Sequence, residues 1–371
     1  MKGLFIYYKD ISKSKVSGID KKVKSQINVF NQEKLNFSFS INSSSGGAIE
    51  KLLYRFPFFN TFQKWEYKNE YDNIDYLYLR RPAAFTKYTI NVLKLIKKRN
   101  PSIKIVLEIP TYPYDKELTI NKKNIPLLIK DRHNRKKLAG IVDRIATLTG
   151  DKELFDIPTL KFENGVDLSS ISMKKPTVKN GTVNLIAVAM YAEWHGYDRI
   201  LESIGQYYSS GGKREVVFHL VGNGSETQKY KTIVKKYNIE KNVIFYGEMS
   251  GEELDRVYDK SDIAVDVFGM YRKNNTISYS LKSREYLAKG LPIISGCKID
   301  LFENHNIKYF KEFSNDSSKV PLESIFDFYD DIYSQEKSPL EIITEIREFA
   351  EKTCGMNSAM KNVTDYFKEK I

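Results

Sequence analysis

A chain of 371 residues, 41% hydrophobic and 29% charged, is long enough for two cores and too apolar for a disordered polymer. Its two cysteines, Cys297 and Cys354, exclude a disulfide scaffold or a cysteine metal site and fit a reduced compartment. The net charge of +12 is uneven: residues 1–165 hold 31 Lys and Arg against 17 Asp and Glu, and residues 166–371 hold 28 against 30.

The chain starts with an apolar run at 3–8 that reads as a buried strand rather than a secretory leader. A helix is predicted over 19–31 and a strand over 35–41, followed by the Ser- and Gly-rich segment 42–47. Residues 75–79 read as a strand closed by Arg80-Arg81-Pro82, 85–99 as a helix, 104–109 as a strand, 125–141 as a helix and 144–148 as a short strand. A polar stretch with Pro and Gly at 169–181 marks a linker, after which the same rhythm restarts. Strands are predicted at 183–189, 215–221, 243–246, 263–267 and 292–295, and helices at 198–208, 226–237, 252–260, 281–288 and along 339–371.

Alternation of strand and helix predicts parallel sheets with helices on both faces. The expected organisation is α/β, with two Rossmann-like doubly wound domains facing across a cleft. The first spans 1–168 and the second 182–355, and a terminal helix at 356–371 packs back toward the first. Ligands of such sheets sit outside the carboxyl ends of the strands, so the strand-to-helix turns are where chemistry is expected.

The most informative segment is Ser280-Leu281-Lys282-Ser283-Arg284-Glu285-Tyr286-Leu287-Ala288-Lys289-Gly290-Leu291-Pro292. On a helix Lys282 and Glu285 share a face. A cation for a diphosphate and a carboxylate for ribose hydroxyls then arrive together, beside the free N–H groups of a helix N-terminus. The competing reading is a surface ion pair.

This segment resembles the donor-binding helix of the retaining GT-B glycosyltransferases of group 1 (family 4-like), in the surface-polysaccharide variant. Other segments agree in order: Ser17-Gly18-Ile19-Asp20 with the N-terminal glycine loop, and Asn164-Gly165-Val166-Asp167 with the interdomain signature. Trp194-His195-Gly196-Tyr197 matches the turn opening the second domain's first helix, and Val221-Gly222-Asn223-Gly224 and Phe245-Tyr246-Gly247 match later glycine turns. The resemblance implies a hexosyltransferase-type enzyme that moves a sugar from a nucleoside-diphosphate donor, UDP-linked by expectation, with retention of configuration and without a metal or other cofactor. In that reading Lys282 meets the diphosphate and Glu285 the ribose. Gly18, Gly222, Asn223, Gly224, Tyr246 and Gly247 line the donor, and Arg284 assists.

Three positions depart from the family pattern. A second carboxylate expected eight residues before Glu285 is Ile277, and the loop cations fall at Met190 and His195. His195 is a candidate if protonated beside a diphosphate, and Arg272, Lys273 or Arg284 could substitute. Glu108 and Asp115 flank a loop that could contact acceptor or transferred sugar, and Arg80 and Arg81 end a strand where they could meet an acceptor diphosphate. Each has an ordinary structural alternative. His133 reads as part of a basic surface and His219 as core.

The basic first half suits an anionic membrane surface or a glycan acceptor carried on polyprenyl diphosphate, and a cytoplasmic protein, peripheral on the inner membrane face, is expected. No window approaches the roughly 20 apolar residues of a membrane span. No nucleic-acid module is evident, and nucleic acid is not an expected partner. The alternative to an enzyme is a non-catalytic nucleotide-sugar-binding or scaffold subunit, which Met190 and Ile277 motivate.

Overall fold

The computed structural model describes residues 2–10, 18–41, 47–56, 58–59, 64–119, 121–176, 181–303, 305, 307–334 and 336–369. The chain divides into two compact units, residues 1–165 with 356–371, and residues 166–355.

The first unit runs β1 (Gly3–Tyr7), α1 (Gly18–Gln32), β2 (Phe37–Ile41), α2 (Ala48–Leu53), β3 (Tyr76–Arg80), α3 (Lys87–Arg99), β4 (Lys104–Ile109), α4 (Asp115–Thr119), α5 (Ile125–Arg135), β5 (Arg144–Thr147), β6 (Glu153–Leu154) and β7 (Ile157–Lys161). Its seven-stranded sheet has the order β2-β1-β3-β4-β5-β7-β6, with every pairing parallel except β6 against β7. The mainly apolar runs are the strands buried along their length: β1 is buried at all five residues and β4 at all six, Lys104 and Glu108 included. The β6–β7 hairpin has no glycine signal. Its two-residue turn, Phe155-Asp156, takes positive φ at both positions (55° and 60°), a primed hairpin turn built without the usual Asn-Gly. The helix predicted over 125–141 stops at Arg135. Beyond it Gly140 turns with φ +75°, and Leu138, Ile141 and Val142 drop into the core ahead of β5.

The second unit runs β8 (Val183–Val188), α6 (Tyr197–Ser209), β9 (Val216–Val221), α7 (Thr227–Tyr237), β10 (Val243–Gly247), α8 (Glu252–Lys260), β11 (Ile263–Val265), β12 (Ile277–Ser278), α9 (Leu281–Lys289), β13 (Ile293–Ser295), β14 (Lys298–Ile299), β15 (Phe310–Glu312), α10 (Leu322–Tyr333) and α11 (Pro339–Thr353). Its six-stranded parallel sheet has the order β10-β9-β8-β11-β13-β15. The order reverses between β8 and β11, and at such a switch point the loops diverge and leave a crevice at the carboxyl ends.

The chain then returns to the first unit as α12 (Met356–Ala359) and α13 (Lys361–Lys368). Phe367 of α13 packs among Phe30, Phe37 and Tyr76, with ring centroids 5.8, 5.5 and 5.0 Å away. No helix among the described residues is long and apolar enough to cross a membrane.

Candidate functional site

The loops after β8 and β11 meet at the switch point of the second unit. The β8 loop ends in a 3-10 turn, Glu193–His195, and Gly196 with φ +63° then starts α6. The β11 loop passes Asp266, Phe268 and Gly269 into a second 3-10 turn, Met270–Lys273. Two backbone bonds join them: Phe268 N–H donates to His195 O (2.8 Å) and Gly269 N–H to Trp194 O (3.2 Å). The approach demands glycine, since a Cβ on Gly196 would lie 2.4 Å from Gly269 N.

α9 places its first turn beside this junction. Ser280 caps it, its Oγ accepting from Lys282 N–H at 3.1 Å, and Gly290 ends it with φ +84°. Tyr286, fully buried, accepts from Val188 N–H at 2.9 Å and fixes α9 to the end of β8. The Lys282 ammonium then sits between Tyr197 Oη (3.4 Å) and Asp266 Oδ1 (3.8 Å). Its side chain is only 18% exposed, and burial lowers its pKa against the opposing pull of Asp266 and Glu285. Glu285, half-buried, follows one turn later on the same face. Asp266 is fully buried at the end of β11, with Oδ2 bonded to Ser278 Oγ (3.1 Å) and Oδ1 without a hydrogen bond. Lys282 is thus a half-sheltered cation held over a buried carboxylate.

His195 differs from the expectation of a protonated group. Its Nδ1 accepts from Ala192 N–H at 3.0 Å, its ring lies against Tyr197 (5.5 Å) and Trp194 (5.8 Å), and it is nearly buried. Burial, with help from the charges of Lys282 and Lys273, drives its pKa down to about 2. The imidazole is therefore neutral, and because Nδ1 accepts, Nε2 carries the proton.

The structure sorts the three candidate substitute cations. Arg284 is 0% exposed, and its guanidinium is bonded to Asp300 (2.5 Å) and Ser280 O (3.1 Å). Arg272 forks onto Asp198 (3.0 and 2.8 Å) and reaches Glu193 O (2.7 Å), while Lys229 meets the same carboxylate at 2.8 Å. It is spent on bracing the loop. Lys273, next in the turn, lies 3.6 Å over the Trp194 ring, close enough to His195 to perturb it.

The glycine turns are closely packed. A Cβ on Gly222, at φ +121°, would lie 1.9 Å from Ala189 O, and one on Gly224 would lie 2.1 Å from Tyr191 O. Gly222 N–H donates to Gly247 O (2.6 Å) and Tyr191 N–H to Asn223 O (2.8 Å), so the loops after β8, β9 and β10 are sewn together. Tyr246 Oη meets His219 Nδ1 at 2.9 Å; His219 is buried, and burial lowers its pKa to about 4.

Unit 1 holds the remaining candidates. Gly18 opens α1, with nothing within 4 Å of where a Cβ would stand; Ser17 lies outside the described residues. Glu108 lies inside β4, within the strand predicted over 104–109, and is fully buried. It is bonded to Arg80, Gln26 Nε2 (3.1 Å) and Tyr78 Oη (2.9 Å), with Lys22 Nζ at 3.5 Å. Burial pushes its pKa up, but these cations and donors outweigh it and hold the carboxyl below its usual value. Arg80 is thereby committed as well. Asp115 is braced by Arg132 (2.5 Å) and Arg135 (2.7 Å), and Arg81 lies 4.0 Å over Tyr114 and bonds Pro82 O and Ala83 O.

Sequence pattern alone missed Asp266, because the apolar run around it, 263–267, reads as strand. It also missed Tyr197 and the Asp198–Arg272 brace, which join residues 74 positions apart. Among the described residues no group of three or more His, Cys, Asp or Glu side chains is arranged to hold a metal ion.

With this geometry in hand, the chain is seen to share the GT-B fold of solved glycosyltransferase structures. A sucrose-phosphate synthase from Thermosynechococcus elongatus superposes with a TM-score of 0.66 at 12% identity, over 99% of this chain and 98% of that one. Anabaena HepE in complex with UDP gives 0.60 at 10% identity over 99% of each chain. A glycosyltransferase from Rickettsia africae gives 0.59 at 13%, over 99% of this chain and 97% of that one. Residues 170–296, which contain the whole switch-point site, match the family model of glycosyl transferases group 1. No curated protein matches the chain.

Proposed function

We propose that this protein is a retaining glycosyltransferase that moves a hexosyl unit from a UDP-linked sugar to a glycan or polyprenyl-diphosphate-linked glycan, as in bacterial surface-polysaccharide assembly. The observation that carries the reading is the first turn of α9, which holds Lys282 and Glu285 on one face at the switch point. The match of this same region to the group 1 model supports it, as does the likeness in fold to HepE, solved with UDP and with UDP-glucose.

In this reading Lys282 and Lys273 take the donor diphosphate, the neutral His195 donates through Nε2–H, and Glu285 holds the ribose. Leaving-group charge is then met by preset donors rather than a metal, each charged contact contributing ~1.5–3 kcal/mol. Lys273 replaces the cations missing at Met190 and His195; Met190 is 79% exposed and offers no charge. Retention would place departure and attack on one face of the sugar, with no protein base of the inverting type.

Turnover of UDP-sugars with a lipid-linked glycan acceptor, followed by UDP release and by the anomeric configuration of the product, tests this directly. Loss of turnover in Lys282→Met supports it. A second reading, a nucleotide-sugar-binding subunit without catalysis, is favoured by Ile277 and Met190 standing where the family has ionic groups. UDP binding without turnover of any donor would establish it.

A further inference from the structure

The first unit carries an exposed apolar surface that the sugar-transfer reading does not use. Among the described residues thirteen large hydrophobic side chains are exposed, and seven of them fall in two short stretches, 49–59 and 125–129. In the first, Ile49 and Leu52 stand out from α2, with Ile49 at 74% exposure, and Phe56, Phe58 and Phe59 follow, with Phe58 at 91%. In the second, Ile125 and Ile129 stand out from α5.

These stretches are tied together. Lys130 of α5 is buried, donates to Tyr54 O and to Phe59 O (2.6 Å), and lies 4.5 Å over the Tyr54 ring. Tyr54 also packs with Leu127 and Ala84. The inward face of α5 thus anchors Tyr54 and Phe59, and its outward face remains open.

That outward face has a defined chemistry. Ile125, Ile129 and Arg132 follow one another along α5 at steps of four and three, with Lys122 in the 3-10 turn before the helix and Lys136 at its C-cap, and all five are exposed. Two isoleucines therefore sit between cations. Residues 121–137 contain seven Lys and Arg against one acid, Asp131, which is buried and bonded to Phe85 N–H (2.9 Å) and Tyr114 Oη (2.8 Å). Arg132 is shared with Asp115, whereas Lys122, Lys123 and Lys136 have no ion pair among the described residues. Apolar side chains bordered by lysines match the two layers of an anionic bilayer, acyl chains below and phosphate headgroups above. A protein partner would have to match both features; a lipid surface does so by composition alone.

From this we infer that Ile49 and Leu52 of α2, Phe56, Phe58 and Phe59, and the outward face of α5 form one docking surface for anionic lipid. Insertion of Phe58, Phe59, Ile125 and Ile129 holds the protein there, and Lys122, Lys123 and Lys136 add the charge attraction. The inference goes beyond the sugar-transfer reading and stands on the first unit alone, so it can fail while donor binding holds.

Co-sedimentation with phosphatidylglycerol-rich and phosphatidylcholine vesicles tests it. The full chain should bind the anionic vesicles at least tenfold better, and 0.5 M salt should weaken but not abolish binding. Phe58→Ser with Ile129→Ser should lower anionic-vesicle binding at least tenfold with UDP affinity unchanged, since both side chains are exposed. Charge reversal at Lys122, Lys123 and Lys136 should remove the salt-sensitive part. In Phe58→Trp, bromolipid quenching beyond the wild-type level reports insertion even if the serine variant folds poorly. No vesicle binding at low salt would overturn the inference. So would binding indifferent to both sets of variants, or a wild-type dimer that Phe58→Ser dissolves, since a second copy would then cover the surface.

Discussion

Replacing Lys282 with methionine removes the ammonium but keeps the stem, and it has two separable consequences. The first concerns the ligand: a charge-assisted contact to phosphate is worth ~1.5–3 kcal/mol, so UDP should bind ~10–150-fold more weakly. The second concerns the fold. Asp266 is fully buried, its Oδ1 has no hydrogen bond, and Lys282 Nζ stands 3.8 Å from it. Removing one member of a buried pair costs ~3–5 kcal/mol; the partly exposed lysine and the long contact reduce this to ~1–3 kcal/mol. Urea unfolding measures the second effect and titration calorimetry with UDP the first. Asp266→Asn added to Lys282→Met removes the stranded charge, so the double variant should regain at least ~1 kcal/mol of the lost stability and none of the lost affinity. If the double variant is no more stable than the single one, the Asp266–Lys282 pairing does not hold Lys282. If Lys282→Met binds UDP as well as wild type, the lysine is not a phosphate ligand.

Lys273→Met should weaken UDP binding ~10-fold by calorimetry, while costing less than ~1 kcal/mol in urea unfolding, because a half-exposed cation over Trp194 contributes little to the fold. Gly222→Ala should destabilise the protein by ~3–5 kcal/mol in the same assay, since the new methyl meets the Ala189 carbonyl and the positive φ strains any L side chain. His195 and His219 stay neutral in the native state while their unfolded counterparts protonate near 6.5. The unfolded chain then holds more protons, so stability falls as pH drops below 6.5, by ~1.4 kcal/mol per unit for each histidine, down to about 4 for His219 and below that for His195. Thermal unfolding between pH 7 and 5 should show the loss, and 15N NMR should find His195 as the Nε2–H tautomer throughout that range.

The sheet cores were legible because β1, β3, β4, β8 and β9 are predominantly apolar runs broken by at most two polar residues, the pattern of strands covered on both faces. The α9 segment was legible because Ser280 and Gly290 punctuate it and because Lys282 and Glu285 share a face. What escaped depended on long-range pairing. Arg284 looked like a ligand cation from its place beside Glu285, but its side chain turns inward to Asp300, sixteen residues away. Glu108 fell within the predicted strand 104–109, but its partners Arg80, Lys22 and Tyr78 come from other elements and left no local signal. His195 looked protonatable in isolation; burial beside two lysines decides otherwise, and neither lysine is its neighbour in sequence. The β6–β7 hairpin was hidden because Phe155 and Asp156 do a turn's work without a turn's usual residues.

The most direct measurement is calorimetric titration of UDP into the wild-type protein, Lys282→Met and Glu285→Gln. Saturable binding by the wild type, weakened at least tenfold by each substitution, is the expected result. Absence of UDP binding, or equal binding by all three proteins, would contradict the placement of a sugar nucleotide on the first turn of α9.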